Sequence, residues 1–257
     1  MIAGYQRETA ALLHAGIYLT LITVAGTIHS ATFDKKGLLN FEKASRLSEL
    51  AHRDQLTGAE NRHKFDENFQ KIVNDLEEFY EIEEVIPFGL SKNNFRKYIT
   101  KKYKANRSKE KPQYFDVLCK YVAKYYEPEI ANGMETDDLV AIFQQKIGHE
   151  NCIIVSIDKD YNQFEGTIYN YNKRKFITLS KKDALYNFYE QMIVGDQADN
   201  VNYCIGYGRA YAKKLFEGVS TDFGYKKKVL GLFKEIYRSK GRERFIECYH
   251  LLKLGYR

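Results

Sequence analysis

The sequence predicts an α/β fold, with a central, mostly parallel sheet flanked by helices and a helical C-terminal part. An apolar run, CIIVSI at residues 152–157, has the length of a strand buried on both faces. An amphipathic helical pattern precedes it at residues 65–79, and residues 136–147 are also predicted to be helical. From residue 182 onward the chain shows helical patterns only. Strands that alternate with helices and lead into a helical tail are typical of this architecture.

Shorter elements complete the predicted order. A helix is expected around residues 41–52 and a short strand at 85–88. Another helix is expected after Pro112, with Phe115, Leu118, Val122 and Tyr125 on one face. Residues 166–171 and 175–178 predict a hairpin around an Asn172-Lys173 turn. The four predicted C-terminal helices lie at residues 183–194, 208–217, 225–237 and 242–253.

Length and composition indicate a globular protein. The 257 residues include 44% hydrophobic residues, 17 glycines and only 3 prolines, which excludes a low-complexity chain. We expect an atypical N-terminal segment at residues 1–70 and one domain at 71–257. That domain divides into an α/β core at 71–194, with a basic arch at 92–112, and a helical part at 195–257.

The four cysteines are widely spaced and form no CxxC pair, so neither a zinc site nor a disulfide framework is predicted. A reducing, intracellular compartment fits this cysteine usage.

Residues 10–28 allow two interpretations. This stretch of 19 residues is mostly apolar and is long enough to span a bilayer. It equally fits a buried helix followed by a strand at residues 18–28. We favour the buried element, and therefore expect no membrane association.

A basic segment at residues 92–111 holds nine lysines and arginines against one acid, Glu110. Phe95, Tyr98 and Tyr103 are interleaved with them. This mixture is typical of a surface that binds a phosphate backbone. A solvated charged loop has the same composition, so both interpretations stay open.

Two acidic groups lie at the ends of predicted elements. ETDD at residues 135–138 starts a predicted helix, where acids share a face or merely complement the helix dipole. Asp158-Lys159-Asp160 follows the buried strand directly. Open α/β sheets bind ligands at the carboxyl ends of their strands, although an acidic turn there is also ordinary.

A third acidic group, GDQADN at residues 195–200, precedes CIGYG at 204–208 and a predicted helix. The glycines allow a close approach of the backbone, whose N–H groups can bind a phosphate. The combination is more specific than a lone GxG pair.

Together the three groups predict a metal centre. So many carboxylates repel one another unless cations neutralise them. Oxygen ligands without His or Cys indicate Mg²⁺ or Mn²⁺, and two such ions support phosphodiester hydrolysis. The predicted metal ligands are Glu135, Asp137, Asp138, Asp158, Asp160, Asp196 and Asp199.

Four successive motifs between about residues 88 and 215 resemble the bacteriophage 5′–3′ exonuclease and flap endonuclease family. The family segment NFR…YKxxR…KP is matched at residues 94–112, and ETDD is similar to its EADD. SIDKDYNQF at 156–164 resembles its S-D-D strand end. GDQADNVNYCIGYG at 195–208 resembles its helix–hairpin–helix.

The resemblance implies a metal-dependent 5′-nuclease acting on DNA with 5′ ends, flaps or junctions. It implies that two Mg²⁺ or Mn²⁺ ions bind the seven carboxylates, that Lys104 and Arg107 contact the scissile phosphate, and that a monovalent cation such as K⁺ binds at the hairpin. We further expect a monomer without a protein partner, in the cytoplasm of a bacterial host cell. The expected DNA contacts are Arg96, Tyr103, Gly206, Gly208 and Lys213.

The sequence departs from the family pattern in its N-terminal half. Family members take a first metal-binding Asp from an N-terminal strand, and here Ala25 occupies that place. Gly89 or Leu90 stands where some members carry another Asp, and Tyr203 replaces a frequent Gly. A catalytically impaired relative that binds branched DNA is therefore a second hypothesis.

Residues 47–65 are similar to another family. LSELAHRDQLTGAENR and Phe65 resemble the DxLTGxxNRxxF start of diguanylate cyclase domains, although the GG[DE]EF signature is absent. A foreign head joined to a nuclease body would explain this similarity and the missing Asp. A membrane-tethered signalling protein is the third hypothesis, and a simple helix–turn–helix remains the plain interpretation.

Overall fold

The computed structural model describes residues 20–25, 59–89, 91, 93–107 and 115–255. The predicted helix at 41–52, most of residues 10–28 and most of the segment similar to cyclases lie outside these residues.

Alternating strands and helices give way to helices alone after β6. The helices are α1 (Ala59–Glu77), α2 (Arg96–Ile99), α3 (Phe115–Tyr125), α4 (Thr136–Ile147), α5 (Lys181–Val194), α6 (Arg209–Leu215), α7 (Asp222–Tyr237) and α8 (Gly241–Leu252). The strands are β1 (Thr20–Ala25), β2 (Ile82–Gly89), β3 (Glu129–Ile130), β4 (Cys152–Val155), β5 (Gly166–Asn170) and β6 (Lys175–Leu179). Two 3₁₀ turns lie at Lys159–Gln163 and Arg238–Lys240.

The strands form one sheet in the order β3-β2-β1-β4-β5-β6. The pairs β2–β3 and β4–β5 are parallel, whereas β1 runs antiparallel to both of its neighbours and β6 antiparallel to β5. The α/β class is thus confirmed, but the sheet is mixed rather than mostly parallel. A short turn joins β5 to β6, and such a turn can only connect antiparallel strands.

Strand β4 lies at the centre of the packing. All four of its residues are buried, as the apolar run predicts. Ile154 and Cys152 pack with Val140 and Ala141 of α4, whereas Ile153 contributes to a core with Leu76 of α1. Helices on both faces of the sheet therefore fix the position at which β4 ends.

The helical C-terminal part has a core of its own, built largely on aromatic residues from α5, α7 and α8. The rings of Tyr189 and Tyr225 stack with centroids 5.6 Å apart. Phe233 packs against Phe245 edge to face at 5.7 Å. This packing fixes α5, and hence the acidic turn that follows it.

The predicted helices in the described part of the chain are confirmed, and α4 has the predicted bounds. Helix α1 runs across residue 70, the predicted boundary between the N-terminal segment and the domain at 71–257. This boundary stays a prediction. None of the helices that the structure describes is long and apolar enough to cross a membrane. Within residues 10–28, the described stretch Thr20–Ala25 is a strand of the sheet.

Candidate active site

Three chain segments bring acidic side chains to the end of β4. Asp137 lies in the first turn of α4. Asp158 caps the 3₁₀ turn that follows β4, and its carboxylate accepts a hydrogen bond from the Asp160 backbone N–H at 2.9 Å. Asp196 and Asp199 lie in the turn after α5.

The turn after α5 depends on a glycine. Gly195 has a φ of +80°, and a Cβ at this position would lie 2.4 Å from the carbonyl oxygen of Val201. The Asp196 N–H donates to that same carbonyl at 2.7 Å. Gly195 therefore permits the backbone pairing that places Asp196 and Asp199.

The carboxylates of the three segments act on one another electrostatically. Burial, followed by the charge of Asp158, raises the pKa of Asp137 to about 7. Burial, followed by the charges of Asp158, Asp196 and Asp199, raises the pKa of Asp160 to about 8. The pKa of Asp158 is raised as well, chiefly by burial. These electrostatic effects mean that carboxylates from the three segments lie near one another, and their role as metal ligands stays a prediction.

Tyr103 lies between two further predicted ligands. Its hydroxyl is 2.7 Å from Glu135 Oε2 and 2.7 Å from Asp199 Oδ2. Burial and then these two charges raise the pKa of the Tyr103 hydroxyl above its usual range. With 4% exposure, Tyr103 cannot contact DNA, which corrects the prediction; its hydroxyl lies between the two carboxylates instead and donates its single hydrogen to one of them at a time.

Lys104 and Arg107 lie at the same acids. The Lys104 ammonium pairs with Glu135 and lies 3.6 Å from Asp199 Oδ2. Arg107 Nη2 is 2.8 Å from Asp199 Oδ1. Both predicted phosphate contacts thus lie beside Glu135 and Asp199, at the margin of the carboxylate cluster, and their catalytic role stays a prediction.

Arg96 and Asp138 form a structural ion pair, and the structure corrects both of their predicted roles. Arg96 is fully buried, and its Nη1 and Nη2 donate to the two Asp138 oxygens at 2.5 and 2.8 Å. Arg96 also donates to the carbonyls of Leu251 and Lys253. Asp138 accepts further bonds from the N–H groups of Glu135 and Gly255. Arg96 therefore cannot reach DNA, and Asp138 has no oxygen left for a metal.

Two residues that the sequence analysis missed complete the cluster. Lys159 Nζ lies 2.8 Å from Asp196 Oδ2. Gln191 Nε2 donates to Asp160 Oδ1 at 2.7 Å and to Asp196 Oδ2 at 3.2 Å. The position of Lys159 between two predicted ligands indicates a place at the site. The sequence around Gln191, which lies on a helix, contains no such indication.

The pKa of Asp196 is lowered, in contrast to those of its neighbours. Burial acts to raise it, but the hydrogen bond and charge of Lys159, together with the bonds from Asp199 N–H and Gln191, outweigh burial. Asp196 therefore carries a stable negative charge that side chains of this chain already neutralise.

The predicted hairpin residues lie outside this cluster. Gly206 and Gly208 are exposed in the loop between α5 and α6, and a Cβ on either would meet open space. Lys213 is exposed on α6. No ion pair of the described chain joins Lys213 to the cluster. A helix–hairpin–helix role for these residues stays a prediction.

The N-terminal strand supplies no ligand at the place that the family pattern indicates. Val24 pairs with Cys152, at the start of β4, and Ala25 pairs with Ile82, at the start of β2. Asp158 follows the other end of β4. Because β1 runs antiparallel to β4, Ala25 lies near the start of β4, at the opposite end of the strands from Asp158.

Among the residues described, no three His, Cys, Asp or Glu side chains already converge as the ligands of a metal do. Lysines and arginines lie at Glu135, Asp196 and Asp199 instead. Asp137, Asp158 and Asp160 form no ion pair with a described lysine or arginine, although the charge of Lys104 acts on the first two.

Comparisons with known proteins relate this chain to a family of exonucleases. A family model described as "5′-3′ exonuclease, N-terminal resolvase-like domain" matches residues 54–190. A protein named "5′-3′ exonuclease" from Buchnera aphidicola subsp. Schizaphis graminum (strain Sg) is 32% identical over 134 residues, 46% of each chain. The present chain thus spans about half the length of this curated relative.

Solved structures from bacteriophage T5 share the fold. The T5 5′-exonuclease with bound zinc gives a TM-score of 0.53 at 18% identity, covering 85% of this chain and 84% of that one. The T5 D15 flap endonuclease in complex with DNA and metal ions gives 0.50 at 17% identity, covering 64% and 71%. Since the family model covers more than half of the chain, the protein belongs to the 5′-3′ exonuclease family with an N-terminal resolvase-like domain.

Proposed function

We propose that this protein hydrolyses phosphodiester bonds at 5′ ends or 5′ flaps of DNA, with divalent cations bound at the end of β4. The observation that supports this most is the proximity of buried carboxylates from separate segments at the end of β4, where burial and neighbouring negative charges raise the pKa values of Asp137, Asp158 and Asp160. Buried carboxylates that repel one another are stabilised when a cation binds between them.

The donor chemistry fits a hard divalent ion. Asp137, Asp158 and Asp160 offer only carboxylate oxygens, which Mg²⁺ and Mn²⁺ prefer. When bound, such an ion would supply positive charge beside the phosphate and make water a stronger nucleophile. We further propose that the divalent ion is Mg²⁺, that two such ions bind, and that K⁺ binds at the 204–208 loop. The proposal also includes DNA as the partner, a monomeric state and a cytoplasmic location.

The residues of the chain itself would position the reacting groups. Lys104 and Arg107 sit beside Glu135 and Asp199, at the margin of the cluster. A phosphate that arrives there offers these cations an alternative anionic partner. The Tyr103 hydroxyl, which can donate to either Glu135 or Asp199, would stay beside these carboxylates while Lys104 and Arg107 exchange partners.

A substrate panel tests the proposal. Duplexes with a 5′ flap, a 3′ flap or blunt ends, each labelled at one terminus, are incubated with the protein in Mg²⁺, Mn²⁺ or EDTA. We expect labelled products from the 5′ flap and the 5′ ends with Mg²⁺ or Mn²⁺, and none with EDTA. Salt-sensitive DNA binding without cleavage in either metal would instead support the impaired branched-DNA-binding relative.

A further inference from the structure

The turn between α7 and α8 gathers a second group of basic side chains, separate from the basic segment at residues 92–111. Residues 226–242 hold seven lysines and arginines against one acid, Glu235. Four of these cations lie at the end of α7, in the turn and at the start of α8, and we call them the basic corner: Lys234, Arg238, Lys240 and Arg242. The chain thus has one basic segment before its three acidic groups and another after them.

Close packing of the two helices fixes the basic corner. Gly241, the first residue of α8, lies directly on the backbone of α7. A Cβ at this position would lie 2.5 Å from Lys234 Cα and 2.9 Å from Phe233 O. Lys240 and Arg242 flank Gly241 in the sequence, so this close approach brings both of them near Lys234. The four cations therefore belong to one region of the surface.

The members of the basic corner are exposed, and no acid among the described residues forms an ion pair with them. In the same part of the chain, Arg244 does form an ion pair, with Glu247. Positive charges that are grouped and not neutralised attract an anion that carries several charges of its own. A phosphate backbone is an anion of this kind.

The backbone at Arg238 favours a different residue from the one present. Its φ of +56° and ψ of −121° are close to those of the first central residue of a type II′ turn. Glycine adopts this conformation readily because it has no Cβ, whereas other residues adopt it at a cost. The Arg238 side chain forms no hydrogen bond or ion pair with the described residues that would offset this cost. An external anionic partner explains the arginine.

The basic corner adjoins the predicted hairpin at residues 204–208. The Tyr237 hydroxyl donates to the Tyr203 carbonyl at 2.5 Å, and the rings of Tyr203 and Phe233 stack with centroids 6.1 Å apart. Tyr203 immediately precedes the hairpin, so the hairpin starts beside the end of α7. Duplex DNA carries one negative charge per about 1.7 Å of its axis. A duplex bound at the hairpin would therefore present further phosphates to the basic corner.

We propose that the basic corner binds the phosphate backbone of duplex DNA, as a second contact surface next to the 204–208 loop. This inference rests on DNA as the partner in the proposed function, and it adds residues that are not among the expected DNA contacts. None of the four cations forms an ion pair with the carboxylates at the end of β4. Their effect is therefore on binding and not on the chemical step.

Duplex binding in EDTA tests the proposal, because EDTA prevents metal-dependent cleavage. A fluorescein-labelled blunt duplex is titrated with the intact protein, and its anisotropy is followed across a KCl series. We expect Lys240→Gln/Arg242→Gln to bind at least about five-fold more weakly. The slope of log affinity against log salt should fall by about two, since each lost phosphate contact removes about one. Lys173→Gln/Lys175→Gln removes two exposed cations from the β5–β6 hairpin and is the matched control, with both values expected to equal those of the wild type.

Arg238→Gly separates a DNA contact from a structural role. Glycine suits the backbone conformation at this position, so we expect a Tm equal to or above that of the wild type together with weaker duplex binding. A lower Tm with unchanged duplex binding would make Arg238 a structural residue and would count against the proposal.

Three further results would overturn the proposal, and they differ in what else they affect. An unchanged salt slope in Lys240→Gln/Arg242→Gln, with the circular dichroism of the wild type, would remove the basic corner but leave the proposed function intact. Polyglutamate that binds the wild type as tightly as the duplex does, and binds this double variant more weakly, would make an acidic protein the partner of the basic corner. Absence of duplex binding by the wild type would count against both the basic corner and DNA as the partner.

Discussion

At the scale of single residues, burial decides what a charged side chain can do. Arg96 and Asp138 belong to motifs whose residue types suit DNA and metal binding, yet both are buried against each other. The groups that bury Arg96 include the carbonyls of Leu251 and Lys253, some 155 residues further along the chain. Local sequence carries no signal of a contact between such distant positions, so residue type alone assigned both roles wrongly.

Replacing Arg96 should lower the stability of the folded protein and should not act through a lost DNA contact. Arg96→Met leaves Asp138 buried without its partner, and removing one member of a buried ion pair typically costs about 3–5 kcal/mol. Urea unfolding followed by circular dichroism measures the loss. The double variant Arg96→Met/Asp138→Leu should recover much of it. If Arg96→Met were as stable as the wild type but bound DNA more weakly, Arg96 would be a DNA contact and not a structural residue.

The buried thiols give a pH-dependent prediction. Burial raises the pKa of Cys152 to about 11 and that of Cys204 to about 12. Since the thiolate is the reactive form, both should be almost wholly protonated at pH 8.5 in the folded protein and resist alkylation by iodoacetamide. Their reaction should accelerate only as the pH approaches 11 or when urea unfolds the chain. Peptide mass mapping checks this, and rapid labelling at pH 8.5 without denaturant would contradict it.

At the scale of elements, the end of α8 and the residues that follow it form hydrogen bonds with two segments that carry site residues. Gln163 ends the 3₁₀ turn that carries Asp160, and its side chain donates to Leu252 O at 3.1 Å and accepts from Leu254 N at 3.0 Å. Asp138 accepts from the N–H of Gly255 at 3.0 Å. The turn after β4 and the start of α4 are thus both held by the last described residues.

Removing the Gln163 amide tests this support. Gln163→Met keeps the volume but leaves two buried backbone groups without partners, at about 1–3 kcal/mol each. We expect lower stability in urea and weaker Mn²⁺ binding, because the turn with Asp158 and Asp160 loosens. Gln145→Met, on the exposed side of α4, is the matched control. Equal Mn²⁺ affinity in both variants would mean that α8 only stabilises the fold.

Elements were easier to predict than their arrangement. Periodic apolar residues predicted α1, α4 and α5, because side-chain spacing is a local property. The antiparallel direction of β1 and its place between β2 and β4 depend on pairing with residues more than 50 positions away. The pairing of Lys159 with Asp196 joins residues from two separate acidic segments, so the position of Lys159 beside two predicted ligands did not by itself indicate which carboxylate it would contact.

At the scale of the whole molecule, the fold brings carboxylates from distant segments together at the end of β4, where burial and neighbouring negative charges raise the pKa values of Asp137 and Asp160. This implies that divalent ions should stabilise the folded chain, since a ligand that binds only the native state raises its stability. We expect the Tm in EDTA to rise on addition of MgCl₂ in excess. Asp158→Asn should melt higher than the wild type in EDTA and respond less to Mg²⁺. A Tm that MgCl₂ leaves unchanged in the wild type would contradict this.

The central claim is that the carboxylates at the end of β4 form the catalytic centre of a 5′-nuclease. Single-turnover cleavage of a 5′-flap duplex in Mg²⁺ tests it most directly, with wild type, Asp158→Asn and the exposed-carboxylate control Asp116→Asn compared at saturating protein. We predict that Asp158→Asn loses at least about a hundredfold in rate while still binding the duplex, and that Asp116→Asn cleaves like the wild type. Equal cleavage rates for Asp158→Asn and the wild type would contradict the account.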